Sequence, residues 1–134
     1  MIENAGIVEL RVPIVSTNDV IVARQRGRAL AADTGFSTSE ATLIAAAISE
    51  LARNIVKYAG NGEILLRRDA NGTLTIVARD NGPGIRDVSS ALRPGYSTSG
   101  GLGLGLTGVR RIADSFDIAS SSAGTTVTVC KSKR

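Results

Sequence analysis

The 134-residue sequence has no histidine and no tryptophan, one cysteine, three prolines, two tyrosines and two phenylalanines. Without histidine, imidazole acid–base catalysis, the usual zinc sites and a phosphohistidine on this chain are excluded. A lone Cys130 cannot close an internal disulfide and fits a reducing compartment. Scarce aromatics leave the core to Ile, Val, Leu and Ala, and offer no stacking platform for nucleic acid. No stretch approaches the roughly 20 apolar residues that span a bilayer. No basic N-terminal region leads into an apolar run, as a secretory signal would require. The expectation is a cytoplasmic protein that engages neither membrane nor nucleic acid.

What is present is an ordinary globular balance, 43% apolar and 21% charged. That predicts one domain over residues 1–134, long enough to bury a core. The net charge is +4, but the basic residues are dispersed apart from Arg24 to Arg28 and Lys131 to Arg134. Such a balance suits binding of a polyanionic nucleotide better than binding of DNA or RNA.

Along the chain, Ile7 to Val12 alternates as a first strand that Pro13 ends. Asp19 to Ala32 reads as an exposed helix with Arg24, Gln25, Arg26 and Arg28 on its wet side, stopped by Gly35. Its apolar and basic residues Val20, Ile21, Arg24 and Arg28 form either a docking face or, as such patterns usually do, a plain surface. Ser37-Thr38-Ser39-Glu40 is a capping box opening a long helix, whose core face is Ile44, Ile48, Leu51 and Ile55. Gly60 and Gly62 close it. Residues 63–68 and 73–79 are strands joined through Asn71-Gly72, a strong hairpin signal. A short helix is expected from Asp87 to Leu92. A further helix beginning at Thr107 puts Val109, Ile112, Ala113 and Phe116 on one face. Strand-like pieces, Asp117 to Ser121 and Thr125 to Lys131, turn at Ala123-Gly124. The order β-α-α-β-β-α-β-β predicts an α/β (α+β) two-layer sandwich, a mainly antiparallel sheet with helices on one face.

Three stretches carry chemistry. Ser97-Thr98-Ser99-Gly100-Gly101-Leu102-Gly103-Leu104-Gly105-Leu106 is a glycine loop ahead of a helix. Its free N–H groups and the helix N-terminus can cradle an anion. Leucines alternating with the glycines argue against a flexible linker. Glu50 and Asn54, one helical turn apart, leave the same face of the long helix. The Asn54 carboxamide oxygen is a neutral ligand for Mg²⁺, and Glu50 can orient or deprotonate an attacking hydroxyl. Taken alone, the pair equally describes a solvated helix face. Asp80-Asn81-Gly82-Pro83-Gly84 ends a strand with an acceptor-only carboxylate, suited to the adenine amino group, or is an ordinary acidic turn. Gly103 to Gly108 fits the dinucleotide fingerprint, but no strand precedes it and residues 125–131 lack the acid that fingerprint requires.

In order and spacing, Glu50-x-x-x-Asn54, Asp80-x-Gly82-x-Gly84, Gly101-x-Gly103-x-Gly105 and Gly124-Thr125 resemble four sequence boxes of the GHKL ATPase/kinase superfamily. The resemblance spans residues 7–131 and implies a Bergerat α/β sandwich, with ATP between the long helix and a lid at Gly95 to Leu106. It implies that Asp80 holds the adenine amino group, with Gly82 and Gly84 beside it, and that Thr125 supports the base through water. Asn54 would take the Mg²⁺, and Gly101, Leu102, Gly103, Leu104 and Gly105 the phosphates. Ser99, Gly100 and Lys57 are further candidate phosphate contacts, although a solvated lysine is the simpler reading of Lys57. Gyrase and Hsp90 types need a transducer domain, and sensor kinases need a phosphoacceptor histidine. The chain therefore looks like the anti-sigma-factor serine/threonine kinases. Ala47-Ile48-Ser49-Glu50-Leu51-Ala52-Arg53-Asn54-Ile55, Tyr58-Ala59-Gly60 and Gly95-Tyr96-Ser97-Thr98-Ser99-Gly100-Gly101-Leu102-Gly103 are most similar to the RsbT-type stressosome switch kinases. That resemblance implies Ser/Thr transfer onto STAS-domain scaffold or antagonist proteins, and activation of a PP2C-type phosphatase by binding. A sigma-sequestering or other partner-sequestering module, with ATP mainly setting conformation, is the alternative.

Overall fold

Alternating apolar and polar residues build five strands, and two long amphipathic segments supply the helices that cover them. The computed structural model describes residues 7–84 and 105–133. Its elements are β1 (Val8–Ile14), α1 (Thr17–Thr34), α2 (Thr38–Tyr58), β2 (Gly62–Arg68), β3 (Leu74–Asp80), α3 (Gly105–Ile112), β4 (Ser115–Ser121) and β5 (Gly124–Lys131). The sheet runs β1-β2-β3-β5-β4, and every pairing is antiparallel. The expected two-layer α+β sandwich is what forms. The expected helix from Asp87 to Leu92 lies outside the described residues.

Both long helices start as their sequences dictate. Ser37 Oγ accepts from the Glu40 N–H at 3.1 Å, and Glu40 Oε1 accepts from the Ser37 N–H at 3.1 Å, completing the box. Asp19 Oδ2 does the same for α1, accepting from the N–H groups of Val15 and Ser16 at 2.8 and 3.0 Å. Gly35 ends α1 in the left-handed region, and its N–H bonds the carbonyls of Ala31 and Ala32. The hairpin between β2 and β3 is tied by Asp69, whose Oδ1 accepts from the N–H groups of Asn71 and Thr73.

Strand alternation sends one face of the sheet inward. Val12, Ile14, Ile64, Leu66, Leu74, Ile76, Ala78, Val127 and Val129 are buried there, against Ile44, Ile48, Leu51 and Ile55 of α2. The outer face carries charges in exposed pairs, Arg67 with Glu9 and both Arg11 and Arg79 with Glu63. The α1–α2 contact depends on Gly27: a Cβ there would lie 2.0 Å from Ile48 Cδ1. Ile48 is fully buried, so α1 sits close only because that side chain is missing.

Three boundaries differ from expectation. Pro13 does not end β1 but sits within it, opposite Glu63; β1 is an edge strand, where a missing N–H costs no ladder bond. α3 starts at Gly105 and stops at Ile112, so Phe116 belongs to β4, where it faces Val129 of β5. Pairing with β5 outweighs the helical spacing of Phe116, because a strand there satisfies backbone groups along the whole sheet edge. Gly62 begins β2 instead of closing α2, which ends with the Ala59 N–H on the Ile55 carbonyl.

Replacing Ile48 by Ala is expected to lower unfolding free energy by about 2–5 kcal/mol. Ile21→Ala, on the 41% exposed outer side of α1, is expected to change it by less than about 0.5 kcal/mol. Urea unfolding followed by circular dichroism measures both.

Candidate nucleotide-binding site

Four elements meet at one end of the inner layer around a cleft. Leu51, Asn54, Ile55 and Tyr58 of α2 form one wall, and Ala78, Asp80, Thr125 and Val127 of β3 and β5 form the floor. Leu106 of α3 and Gly84 complete it. The surfaces are mostly apolar with a few placed polar groups, as expected of a pocket for a flat aromatic ligand.

Asp80 is fixed from two sides. Its Oδ1 accepts from the Gly82 N–H at 2.9 Å and from the Thr125 N–H at 3.3 Å. Asp80 and Thr125 are direct cross-strand partners, so the register of β3 on β5 holds the carboxylate in place. Among the described residues nothing donates to Oδ2, which leaves one acceptor atom for a ligand amino group. The Thr125 hydroxyl, on a residue only 8% exposed, exchanges a 2.8 Å hydrogen bond with Ser120 Oγ across β4 and β5.

Glycine is obligatory around this carboxylate. Gly84 has φ +84°, and a Cβ there would lie 2.1 Å from the Ser121 carbonyl oxygen. Gly124 has φ +143°, and its Cβ would lie 2.1 Å from the Asp80 carbonyl oxygen. Both combine positive φ with a backbone approach that no side chain permits. Gly82 packs on the end of α2, where a Cβ would lie 2.6 Å from Ala59 Cβ.

On α2, Asn54 is half-buried and lines the cleft. Glu50, one turn earlier, is 3% exposed and is not part of the cleft wall. A buried carboxylate needs a partner, and Arg53 Nη2 approaches Glu50 Oε1 at 3.6 Å. Lys57 is exposed and does not line the cleft, but its ammonium lies 5.0 Å from the ring centroid of Tyr58, which does, a cation–π contact at the cleft wall. Gly105, expected in the phosphate loop, is the first residue of α3 and is buried with φ +61°. Leu106 follows in that first turn, so the positive end of the α3 dipole opens beside the cleft. Ser99, Gly100, Gly101, Leu102, Gly103 and Leu104 lie outside the described residues.

Expectation missed the apolar walls Leu51, Ile55, Tyr58, Ala78 and Val127, and the Ser120 partner of Thr125; Leu106, expected at the end of the lid, lines the cleft from the first turn of α3. Leu51 and Ile55 read as core, and their cleft-facing edges emerge only once α3 is placed. Ser120 was within reach of reasoning, because folding the last two strands about Ala123 brings it opposite Thr125.

The histidine kinase-like ATPase domain family matches residues 16–131. The serine/threonine-protein kinase RsbT of Bacillus subtilis (strain 168) is 45% identical over 124 residues, covering 90% of this chain and 93% of that one. The crystal structure of the RsbU and RsbW domains of a Mycobacterium tuberculosis protein superposes with a TM-score of 0.68 at 18% identity. That match covers 93% of this chain but 32% of the other, so the chain spans about a third of that structure's length and the two share a fold.

Asp80→Asn keeps the shape but replaces half of the acceptor by a donor. ATP affinity is expected to fall by about 1.5–3 kcal/mol, the value of a hydrogen bond to a charged group. Isothermal titration calorimetry measures the loss, with Thr126→Ala, one residue along β5 on the outer face, as an unchanged control.

Proposed function

Given that the chain belongs to the histidine kinase-like ATPase domain family, we propose that it is a switch kinase transferring the γ-phosphate of ATP to a serine or threonine of STAS-domain partner proteins. One observation carries this reading: Asn54, Asp80, Gly84, Leu106 and Thr125, distant in sequence, converge on one cleft. The kinase class is that of the Bacillus subtilis relative, which aligns over nearly all of both chains. The STAS-domain partners, and activation of a PP2C-type phosphatase by binding, belong to the RsbT-type resemblance and are part of the proposal. No helix among the described residues is long and apolar enough to cross a membrane.

The residues present fit ATP. Asp80 Oδ2, to which no described residue donates, accepts the adenine amino group and disfavours guanine, which presents a carbonyl there. Leu51, Ile55, Ala78, Leu106 and Val127 enclose the base faces, and the Thr125–Ser120 hydroxyl pair presents a polar edge to the base or to a bridging water. No group of three or more His, Cys, Asp or Glu side chains that could hold a metal occurs among the described residues. That suits a cation ligated by one protein oxygen, Asn54 Oδ1, with the remaining ligands from phosphates and water. Magnesium, when bound, neutralises developing charge on the phosphates. Gly101 to Gly105 would close on the phosphates, and the α3 N-terminus adds its dipole.

Transfer itself needs positioning more than covalent chemistry from the protein. The hydroxyl oxygen of the partner bonds to the γ-phosphorus as the bond to the β–γ bridging oxygen breaks, and ADP leaves. The hydroxyl proton would pass to the Glu50 carboxylate. That carboxylate lies one turn from the cleft-lining Asn54 and is buried behind the described wall, so the partner's hydroxyl must approach along that flank of α2. The i,i+4 spacing on α2 places that carboxylate beside Asn54, with the Arg53 guanidinium holding it.

The test incubates the protein with γ-labelled ATP, Mg²⁺ and STAS-domain proteins from the same organism. Label on a serine or threonine of the partner is expected. Glu50→Gln is expected to slow transfer by about 10²–10⁴-fold with ATP still bound. Asn54→Ala is expected to abolish transfer and weaken ATP binding in magnesium. Wild-type transfer by either variant would remove these assignments. ATP binding with no transfer to any STAS protein would favour a partner-sequestering module.

A further inference from the structure

Three neighbouring strands change character in the same row of the sheet. On the inner face β3 reads Ala78 and then Asp80, β5 reads Val127 and then Thr125, and β4 reads Ile118 and then Ser120. Pairing sets Asp80 opposite Thr125, and Thr125 opposite Ser120. The adjoining row, Ala78, Val127 and Ile118, is wholly apolar. Asp80 and Thr125 line the cleft, whereas Ser120 is not part of its lining. Seen from a ligand, Ser120 Oγ therefore stands behind Thr125, 2.8 Å from its Oγ1. Gly84 packs over that hydroxyl, and a Cβ there would lie 3.0 Å from it.

Asp80 by itself does not choose between the purines. Its Oδ2 takes the adenine 6-amino group, but a carboxylate serves equally well for a guanine turned to offer its N1–H and 2-amino donors. The choice falls to the group beside it. Adenine sets an acceptor, N1, next to its amino group; guanine in that orientation sets a second donor. A hydroxyl has one proton to give. If Thr125 gives its proton to Ser120, it turns lone pairs to the cleft and matches guanine. If Ser120 gives its proton to Thr125, the Thr125 proton is left for the ligand and matches adenine.

We infer that Ser120 is a positioning residue for base selection, donating to Thr125 Oγ1 and so turning the Thr125 proton toward N1 of the bound base. The inference rests on the reading of the cleft as an ATP site. The 2.8 Å separation serves either direction, so the surroundings decide. Asp80 and Thr125 are direct antiparallel partners on one face, with Cβ atoms about 4.5–5.5 Å apart. The carboxylate field turns the Thr125 O–H dipole proton-first toward the cleft, which leaves its lone pairs to Ser120. A water between Thr125 and the base keeps the same direction. Its oxygen accepts from Thr125, and one of its protons goes to N1.

Equilibrium titration with ATP, GTP and 1-deaza-ATP, in which a C–H replaces N1, tests this. Wild type is expected to bind ATP roughly two- to tenfold more tightly than 1-deaza-ATP, the worth of one hydrogen bond, and GTP more weakly still. In Ser120→Ala the Thr125 hydroxyl loses the donor that fixes it. ATP binding is expected to fall by about that factor while 1-deaza-ATP binding stays, so the preference between the two disappears and GTP gains on ATP. Ser120→Cys, nearly isosteric but a weak donor, is expected to behave as Ser120→Ala does with the packing kept. Ser120→Thr retains the hydroxyl and is expected to restore the wild-type order. Thermal unfolding followed by circular dichroism checks that each variant is folded. A wild type that binds ATP and 1-deaza-ATP alike would overturn the inference and leave the ATP reading standing. So would Ser120→Ala or Ser120→Cys variants that keep the full preference for ATP, or that weaken all three nucleotides equally, as a packing defect does. A wild type that binds no ATP would remove that reading, and the inference with it.

Discussion

The seam of Ile44, Ile48, Leu51 and Ile55 against the sheet is the contact on which the rest depends. Ile44, Ile48, Leu51 and Ile55 are at most 2% exposed, and burial of each is worth about 1.5–3 kcal/mol. Once that stripe faces β2 and β3, the helical period leaves no freedom for the flank carrying Glu50 and Asn54. Asn54 must then open toward the ends of β3 and β5, where Asp80 and Thr125 stand. Gly27 serves the same seam from behind, letting α1 press on Ile48 with no side chain between. The chemistry is oriented by apolar packing that never touches a ligand.

The sheet supplies the second half of the site through register. Asp80 faces Gly62 on one side and Thr125 on the other. A slip of one residue on β5 would turn the Thr125 side chain to the outer face and take its N–H away from Asp80 Oδ1. Gly84 and Gly124 guard that register, because each meets a carbonyl oxygen where a Cβ would stand. The two halves are independent in chain but not in space. The helix seam sets one wall of the cleft, the β3–β5 ladder sets the floor, and α3 closes the end through Leu106. A nucleotide between them would touch all three, so occupancy of the cleft and stability of the fold are thermodynamically linked.

Much of this was legible in the linear sequence wherever the deciding interaction is local. The Ser37–Glu40 box, the Gly35 stop, the Asn71-Gly72 hairpin and the period of α2 each involve residues a few positions apart. Glu50, Asn54, Asp80 and Thr125 were nameable because their types and spacings suit nucleotide chemistry. The tertiary structure decided what local rules leave degenerate. Phe116 fits a helix by spacing and a strand by type, and only the neighbouring β5 settles it as strand. Pro13 reads as a stop until β1 proves to be an edge, where no ladder bond is lost. Leu51 and Ile55 read as core, yet the end of the stripe emerges as the wall of a cleft. Sequence period tells which side of a helix is apolar; where that side meets a partner, and where it runs out of one, depends on elements tens of residues away.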